Sequence, residues 1–205
     1  MIKLERTSVM NLENAMRGAR NPMNSWDRMD SFYDEDGNYV LGPNDLGLAK
    51  RLRRAGSDHR KYIRQVFVSV DITAPMYWWK EYETYKVGTV SNSCSTMHKI
   101  HSKAFELDDF SHDHLTPESE AYMQTIVDCL ETIRLKYVKT KDKAYWYDMI
   151  QLLPSSYNQK RTVLLNYAVL RNMYHARMNH KLDEWRELCK WIETLPQSEL
   201  ITMEV

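Results

Sequence analysis

The residues best suited to chemistry lie in one short polar run, TVSNSCST, from Thr89 to Thr96. Such side chains are too polar for a core unless they find partners. Hydroxyls and an amide at this density can hold a phosphate or a nucleobase, or can simply make a polar turn. A second group is His98, His101, His112 and His114 among Asp108, Asp109 and Asp113. Their HxxH and HxH spacings resemble those of zinc or iron ligands, but neither pair falls on a regular helix or strand, so surface or capping roles are expected and no metal is assigned. A third group is aromatic: Tyr77, Trp78, Trp79 and Tyr82 can pack a core or wall a flat ligand ring.

These groups need elements to position them. Tyr62 to Ile72 alternates, with Val66, Val68, Val70 and Ile72 on one side and Phe67, Ser69 and Asp71 on the other, which predicts a strand. Pro75 suits the first turn of a helix carrying the aromatic cluster, and Gly88 breaks the pattern before the polar run. Upstream, Ile2 to Leu4 is a weak strand and Leu12, Ala15 and Met16 mark a short helix. Asn21 to Pro43, rich in turn formers, reads as a loop or small hairpin that covers a site. Asn44 is the expected cap of a helix through Leu46, Leu48, Ala49 and Leu52. That helix ends near Gly56 after Lys50, Arg51, Arg53 and Arg54, a basic run read as solvated beside the dipole's negative end.

Thr116 and Pro117 open a helix through Tyr122, Ile126, Val127, Leu130, Ile133 and Tyr137. A short helix with Trp146, Met149, Ile150 and Leu153 follows. Helical spacing of Val163, Tyr167, Leu170 and Tyr174 then predicts a helix from about Lys160 to Met178, and Asp183 is the expected cap of a last amphipathic helix. The predicted class is α+β: a central antiparallel or mixed sheet with helices packed on it, a helix-dominated C-terminal half, and one domain over residues 1–205.

Composition sets the outer limits. At 205 residues and 43% hydrophobic, the chain can bury one sizeable core. Basic and acidic residues number 28 each, so net charge gives no argument for nucleic acid or an anionic membrane. Cys94, Cys129 and Cys189 are odd in number and far apart, which argues against a disulfide framework and fits a reducing cytoplasm. The opening MIKLERTSVMNLENAMRG lacks the apolar run of a signal peptide, and no stretch of about 18 apolar residues exists to span a bilayer, so a cytoplasmic protein is expected.

Read in order, three stretches resemble the flavin-dependent thymidylate synthases. AGSDHRKYIRQVFVSV, Ala55 to Val70, is similar to the family's passage from a helix end into a strand. Tyr85 to Lys99 falls where the family has Arg-His-Arg, seven variable residues and Ser; Ser95 and Asn92 are kept, while Tyr85, Lys86 and Val87 replace the charged triplet. LLPSSYNQKRTVLLNYAVLRNMYHAR keeps the spacing of Pro154, Asn166 and Arg177, and EWREL from Glu184 is similar to the sequence that follows it. A nucleotide-binding arginine expected four residues before Pro154 is Ile150.

The resemblance implies a methyltransferase of nucleotide biosynthesis, in which FAD is reduced by NADPH, methylenetetrahydrofolate donates the one-carbon unit and dUMP becomes dTMP. It implies Arg177 and Ser95 as catalytic residues, Asn166, Lys86, Trp79 and His59 at the flavin, and Asn92, Ser93, Ser95 and Arg177 at the nucleotide. It further implies a homotetramer whose subunits share the site. Arg171, Lys86, Lys99 and Lys103 are the candidates to supply the missing charge. The alternative is a catalytically degenerate homologue that serves as a nucleotide-binding or protein-interaction module.

Overall fold

The computed structural model describes residues 2–204. In chain order the elements are β1 (Lys3–Met10), α1 (Leu12–Arg20), β2 (Phe32–Tyr33), β3 (Tyr39–Val40), α2 (Pro43–Arg54), β4 (Phe67–Pro75), α3 (Met76–Tyr82), β5 (Val90–Ser93) and α4 (Thr96–Lys99). They continue with α5 (Pro117–Thr140), α6 (Lys143–Leu152), β6 (Asn158–Asn166), α7 (Tyr167–Arg177), α8 (Asp183–Glu193) and α9 (Glu199–Thr202). An antiparallel sheet has the order β1-β4-β6-β5, and β2 pairs with β3 as a separate hairpin. Helix takes 54% and strand 18%, so the α+β expectation holds. The residues group into two compact units, one of 2–3, 71–84 and 91–162, the other of 4–70, 85–90 and 163–204.

The alternation in β4 is the expected one: Val68, Val70, Ile72 and Ala74 are wholly buried. The strand begins at Phe67, not Tyr62, because Arg60–Gln65 is a 3-10 turn. Tyr62 and Ile63 are both buried, and two adjacent inward side chains do not fit a strand with one covered face. Pro75 closes β4, and α3 starts one residue later.

The largest departure lies at residues 158–166, where a strand replaces the expected start of a helix at Lys160. Val163, Tyr167, Leu170 and Tyr174 satisfy helical spacing, yet Gln159, Val163, Leu165 and Tyr167 are buried at every second or fourth residue, as a strand requires. β6 lies between β4 and β5 in the sheet, and that pairing decides a pattern compatible with either period. The weak strand expected at Ile2–Leu4 likewise extends as β1 to Met10.

Helix starts follow local chemistry. Thr116 caps α5 as expected, its hydroxyl accepting from Ser119 N–H at 3.3 Å. Asn44 does not cap α2; Gly42 holds that place and the Asp30 carboxylate accepts from Asn44 N–H at 2.8 Å and Asp45 N–H at 3.0 Å. A Cβ on Gly42 would come within 2.3 Å of the Asp30 carbonyl oxygen, so only glycine admits this approach. Asp183 is the first residue of α8, and Leu182 stands at its cap.

In the first unit, Ile100, Phe105, Phe110, Val127, Leu130 and Met149 form a core that joins α5 to α6. In the second, α7 packs on α8 and α9 around Leu170, Met173, Trp185, Leu188, Leu200 and Ile201. Arg53 is not solvated as its basic run suggested; it is 0% exposed.

Candidate functional site

In the first unit the polar run is a strand followed by a helix cap. Asn92 and Ser93 lie on β5 at the edge of the sheet and are exposed. Among the described residues their side chains carry no intramolecular partner. Cys94 N–H donates to the Lys160 carbonyl at 2.9 Å, and Gln159 Nε2 donates to the Cys94 carbonyl at 2.8 Å, so the run is pinned beside β6. Ser95 Oγ accepts from His98 N–H at 3.0 Å and caps α4, which leaves the hydroxyl proton to be donated elsewhere.

The tryptophans stand behind this edge as core. Trp78 is 0% and Trp79 1% exposed, and Trp79 Nε1 donates to the Gln159 carbonyl at 2.9 Å. The Arg161 guanidinium lies 4.3 Å from the centre of the Trp79 ring. Arg161 also donates from Nε to Gln159 Oε1 at 3.0 Å and from Nη1 to Glu83 at 2.9 Å. Sequence reasoning missed Arg161 because it assigned the residue to a helix. Asp71, buried at 8% exposure, accepts from Thr162 Oγ1 at 2.7 Å and pairs with Lys160 at 3.2 Å.

The histidines have separate partners. His101 stacks edge-on against Tyr137, and His112 lies near Asp108 and Glu120. Among the described residues no three His, Cys, Asp or Glu side chains gather as a metal-binding group.

In the second unit Arg177, on the last turn of α7, is held by aromatics. Its Nε donates to the Tyr85 hydroxyl at 2.8 Å, and its guanidinium lies 4.8 Å from the Trp185 ring centre and 5.5 Å from that of Tyr85. Tyr85 and Trp185 are themselves 5.8 Å apart, centre to centre. Tyr85, which stands at the first position of the replaced triplet, therefore orients the arginine. Neither Tyr85 nor Trp185 was singled out for this role from the sequence.

Asn166 caps α7, its Oδ1 accepting from Ala168 N–H at 3.0 Å and Val169 N–H at 3.1 Å. Its Nδ2 remains a donor beside Gly88, where a Cβ would sit 3.3 Å away. Gly88 has φ +83, so the turn after Lys86 needs glycine for its backbone and for this approach. The Lys86 carbonyl accepts from Thr89 N–H at 3.3 Å, and its side chain is exposed. His59 is exposed and lines a cavity of about 380 Å³ with Leu52, Asp58, Tyr62 and Gln65. Thus Asn166, Lys86 and Arg177 all attach to the Tyr85–Gly88 turn or its near neighbours, whereas His59 lines a cavity that none of them lines. Cys189 offers no nucleophile: burial pushes its thiol up to about 11.

No protein-family model and no curated protein matches the chain. Solved structures do match. A crystal structure of thymidylate synthase X (ThyX) from Helicobacter pylori with FAD and dUMP has a TM-score of 0.70 at 16% identity, covering 100% of this chain and 98% of that one. A second, of the flavin-dependent thymidylate synthase ThyX from Helicobacter pylori complexed with FAD and dUMP, has a TM-score of 0.68 at 17% identity, covering 99% and 97%. At this identity the likeness establishes a shared fold.

Proposed function

We propose that the chain acts as one flavin-dependent thymidylate synthase-like domain, binding FAD and dUMP or a related nucleotide. The observation that carries this reading is the end-to-end fold correspondence with proteins that hold both ligands. Asn166, with a free amide donor, and Lys86, an exposed cation, fit the edge and phosphates of a flavin; Trp79, buried at 1% exposure, and His59, on a cavity that neither Asn166 nor Lys86 lines, do not join this pair. Asn92, Ser93 and Ser95 supply donors for a nucleotide, and Arg177 polarises the pyrimidine from its aromatic seat. When bound, FAD would supply the redox chemistry, with NADPH as reductant and methylenetetrahydrofolate as one-carbon donor. A cytoplasmic homotetramer completes the proposal.

One observation favours a second reading, a nucleotide-binding module without the reaction. Tyr85 and Val87 stand where the family's two guanidiniums would be, and the Tyr85 hydroxyl is committed to Arg177. Each lost charge-assisted bond is worth about 1.5 to 3 kcal/mol, so two of them weaken FAD binding by roughly two orders of magnitude or more.

The test is the visible spectrum of the purified protein, followed by separate thermal-shift titrations with FAD and dUMP. Flavin colour or stabilisation by FAD supports the enzyme reading. Stabilisation by dUMP alone supports the module, and a colourless protein stabilised by neither sinks both.

A further inference from the structure

A second cluster in the 4–70, 85–90 and 163–204 unit is cationic, and among the described residues its arginines have no carboxylate partner. Arg53 is 0% exposed; its Nε donates to the Leu200 carbonyl and its Nη2 to the Met203 carbonyl, each at 2.9 Å, while its buried Nη1 has no acceptor. Arg171 Nε is buried without an acceptor, and its Nη1 has only a long 3.4 Å contact to Asn172. His175 Nε2 is also buried without a partner. Arg60, half-buried, has no side-chain hydrogen bond or ion pair among the described residues.

These groups converge through the packing of their elements. Arg171 and His175 are four apart on α7 and share a face. α7 packs against the Arg60–Gln65 turn and against α9, and α2, which carries Arg53, packs against both. The charges feel one another: burial first, then Arg171 and Arg60, bring Arg53 down to about 10, and burial and Arg60 lower Arg171. Burial, Arg171 and Arg53 depress His175 as well. The acidic groups facing the cluster are few: Glu204 acts on His175, whereas Glu199 is taken by Lys50 at 2.7 Å.

A buried charge is strongly unfavourable unless it is paired, and buried nitrogens without acceptors on Arg53, Arg171 and His175, with Arg60 beside them, have the chemistry of an anion site. We infer that Arg53, Arg60, Arg171 and His175 form a binding site for a phosphoryl group, distinct from the seat of Arg177. A phosphoryl dianion offers two charges and tetrahedrally arranged acceptors, which suits donors arriving from three elements better than a planar monovalent carboxylate. The site is separate because six helical residues place Arg171 and Arg177 about 120° apart around α7. The anion would also draw α2, α7 and α9 together, since Arg53 already holds α9 through two carbonyls.

Isothermal titration with inorganic phosphate on the full chain tests this, alongside Arg60→Gln, Arg171→Gln and Arg177→Ala. The first two replace half-buried residues; circular dichroism checks that each variant folds. Saturable binding to the wild type is expected, weakened about tenfold or more by Arg60→Gln and by Arg171→Gln and by less than about twofold by Arg177→Ala. Repeating the titration on the wild type with dUMP present identifies the source: displacement of phosphate assigns the site to a nucleotide's phosphoryl group, and no displacement at saturating dUMP assigns it to the free ion. Absence of saturable phosphate binding overturns the inference, as does a loss through Arg177→Ala equal to that through Arg171→Gln, or no loss in either cluster variant.

Discussion

Arg20 and Arg53 are both buried arginines of the same unit, 4% and 0% exposed, and they are treated in opposite ways. Arg20 meets a carboxylate: its Nε donates to Asp45 Oδ1 at 2.6 Å, and its Nη1 and Nη2 reach the carbonyls of Ser25 at 3.1 Å and Arg28 at 3.0 Å. Asp45 is completed by Ser31, whose Oγ donates to Oδ2 at 2.5 Å. Burial alone would raise the Asp45 pKa, but the Ser31 and Arg20 bonds outweigh it and hold the group below the usual carboxylate range. Among the described residues Arg53 bonds only to carbonyls, with Arg171, Arg60 and Tyr62 acting on it. The first arginine is therefore part of the scaffold that ties residues 20–45 into a fixed shape, and the second belongs to the proposed anion site.

The sharpest way to break that contrast is Asp45→Asn. It strands Arg20 without its counter-charge and should cost about 3–5 kcal/mol in chemical denaturation. The same pair sets an acid limit: because the folded pKa of Asp45 is depressed, its stabilisation is fully present above the unfolded value near 3.9 and is lost as pH falls through the folded one. Asp45→Asn should flatten stability across that range; an unchanged acid slope would count against the assignment.

Arg53→Met should cost less, about 1–3 kcal/mol, because it leaves two carbonyls without a donor but removes an uncompensated charge. A loss equal to that of Asp45→Asn would erase the distinction between the two arginines.

Arg177 lies between the extremes, bonded by the neutral hydroxyl of Tyr85. Tyr85→Phe should lower stability by about 1 kcal/mol in a thermal melt. No change would show that the Tyr85 hydroxyl is not what seats the guanidinium.

The smallest effect concerns His175. Its folded pKa is depressed, so as pH drops below about 6.5 the unfolded chain takes up the proton first and stability declines. His175→Gln should remove less than about 1 kcal/mol of that decline, measured as the difference in denaturation midpoints between pH 7 and pH 5. Phosphate bound at the cluster should shift the same slope, because a dianion favours the charged imidazole.

Much of the fold could be read from local pattern. β4 announced itself because one face is buried at every second residue, and α5 because Thr116 and Pro117 mark its start. β6 could not be read in that way, since its apolar residues fit both periods and only its neighbours in the sheet decide between them. That one ambiguity hid Arg161 and Gln159 and turned the Asn166 cap into a mid-helix residue. The Asp30 cap of α2 was hidden for a different reason, because the helix borrows its acceptor from a residue outside its own sequence. The polar run holding Asn92, Ser93 and Ser95 was singled out by residue type, whereas Lys86 and Arg177 entered only through the family resemblance. The aromatic seat of Arg177 and the unpaired state of Arg53 are tertiary facts, made by Tyr85 and Trp185 in one case and by the carbonyls of residues 200 and 203 in the other.

The bonds from Arg53 to Leu200 and Met203 also have a meaning in time. They join residues about 150 positions apart, and Trp191 Nε1 similarly reaches Thr7 Oγ1 at 3.0 Å. During synthesis the early half of this unit must wait for residue 203 to leave the ribosome before it can close. Residues 91–162, which form most of the other unit as one uninterrupted segment, face no such delay. A chain interrupted in its last few residues would lack the carbonyls that Arg53 holds and leave α2 and α7 without the helix that packs on both.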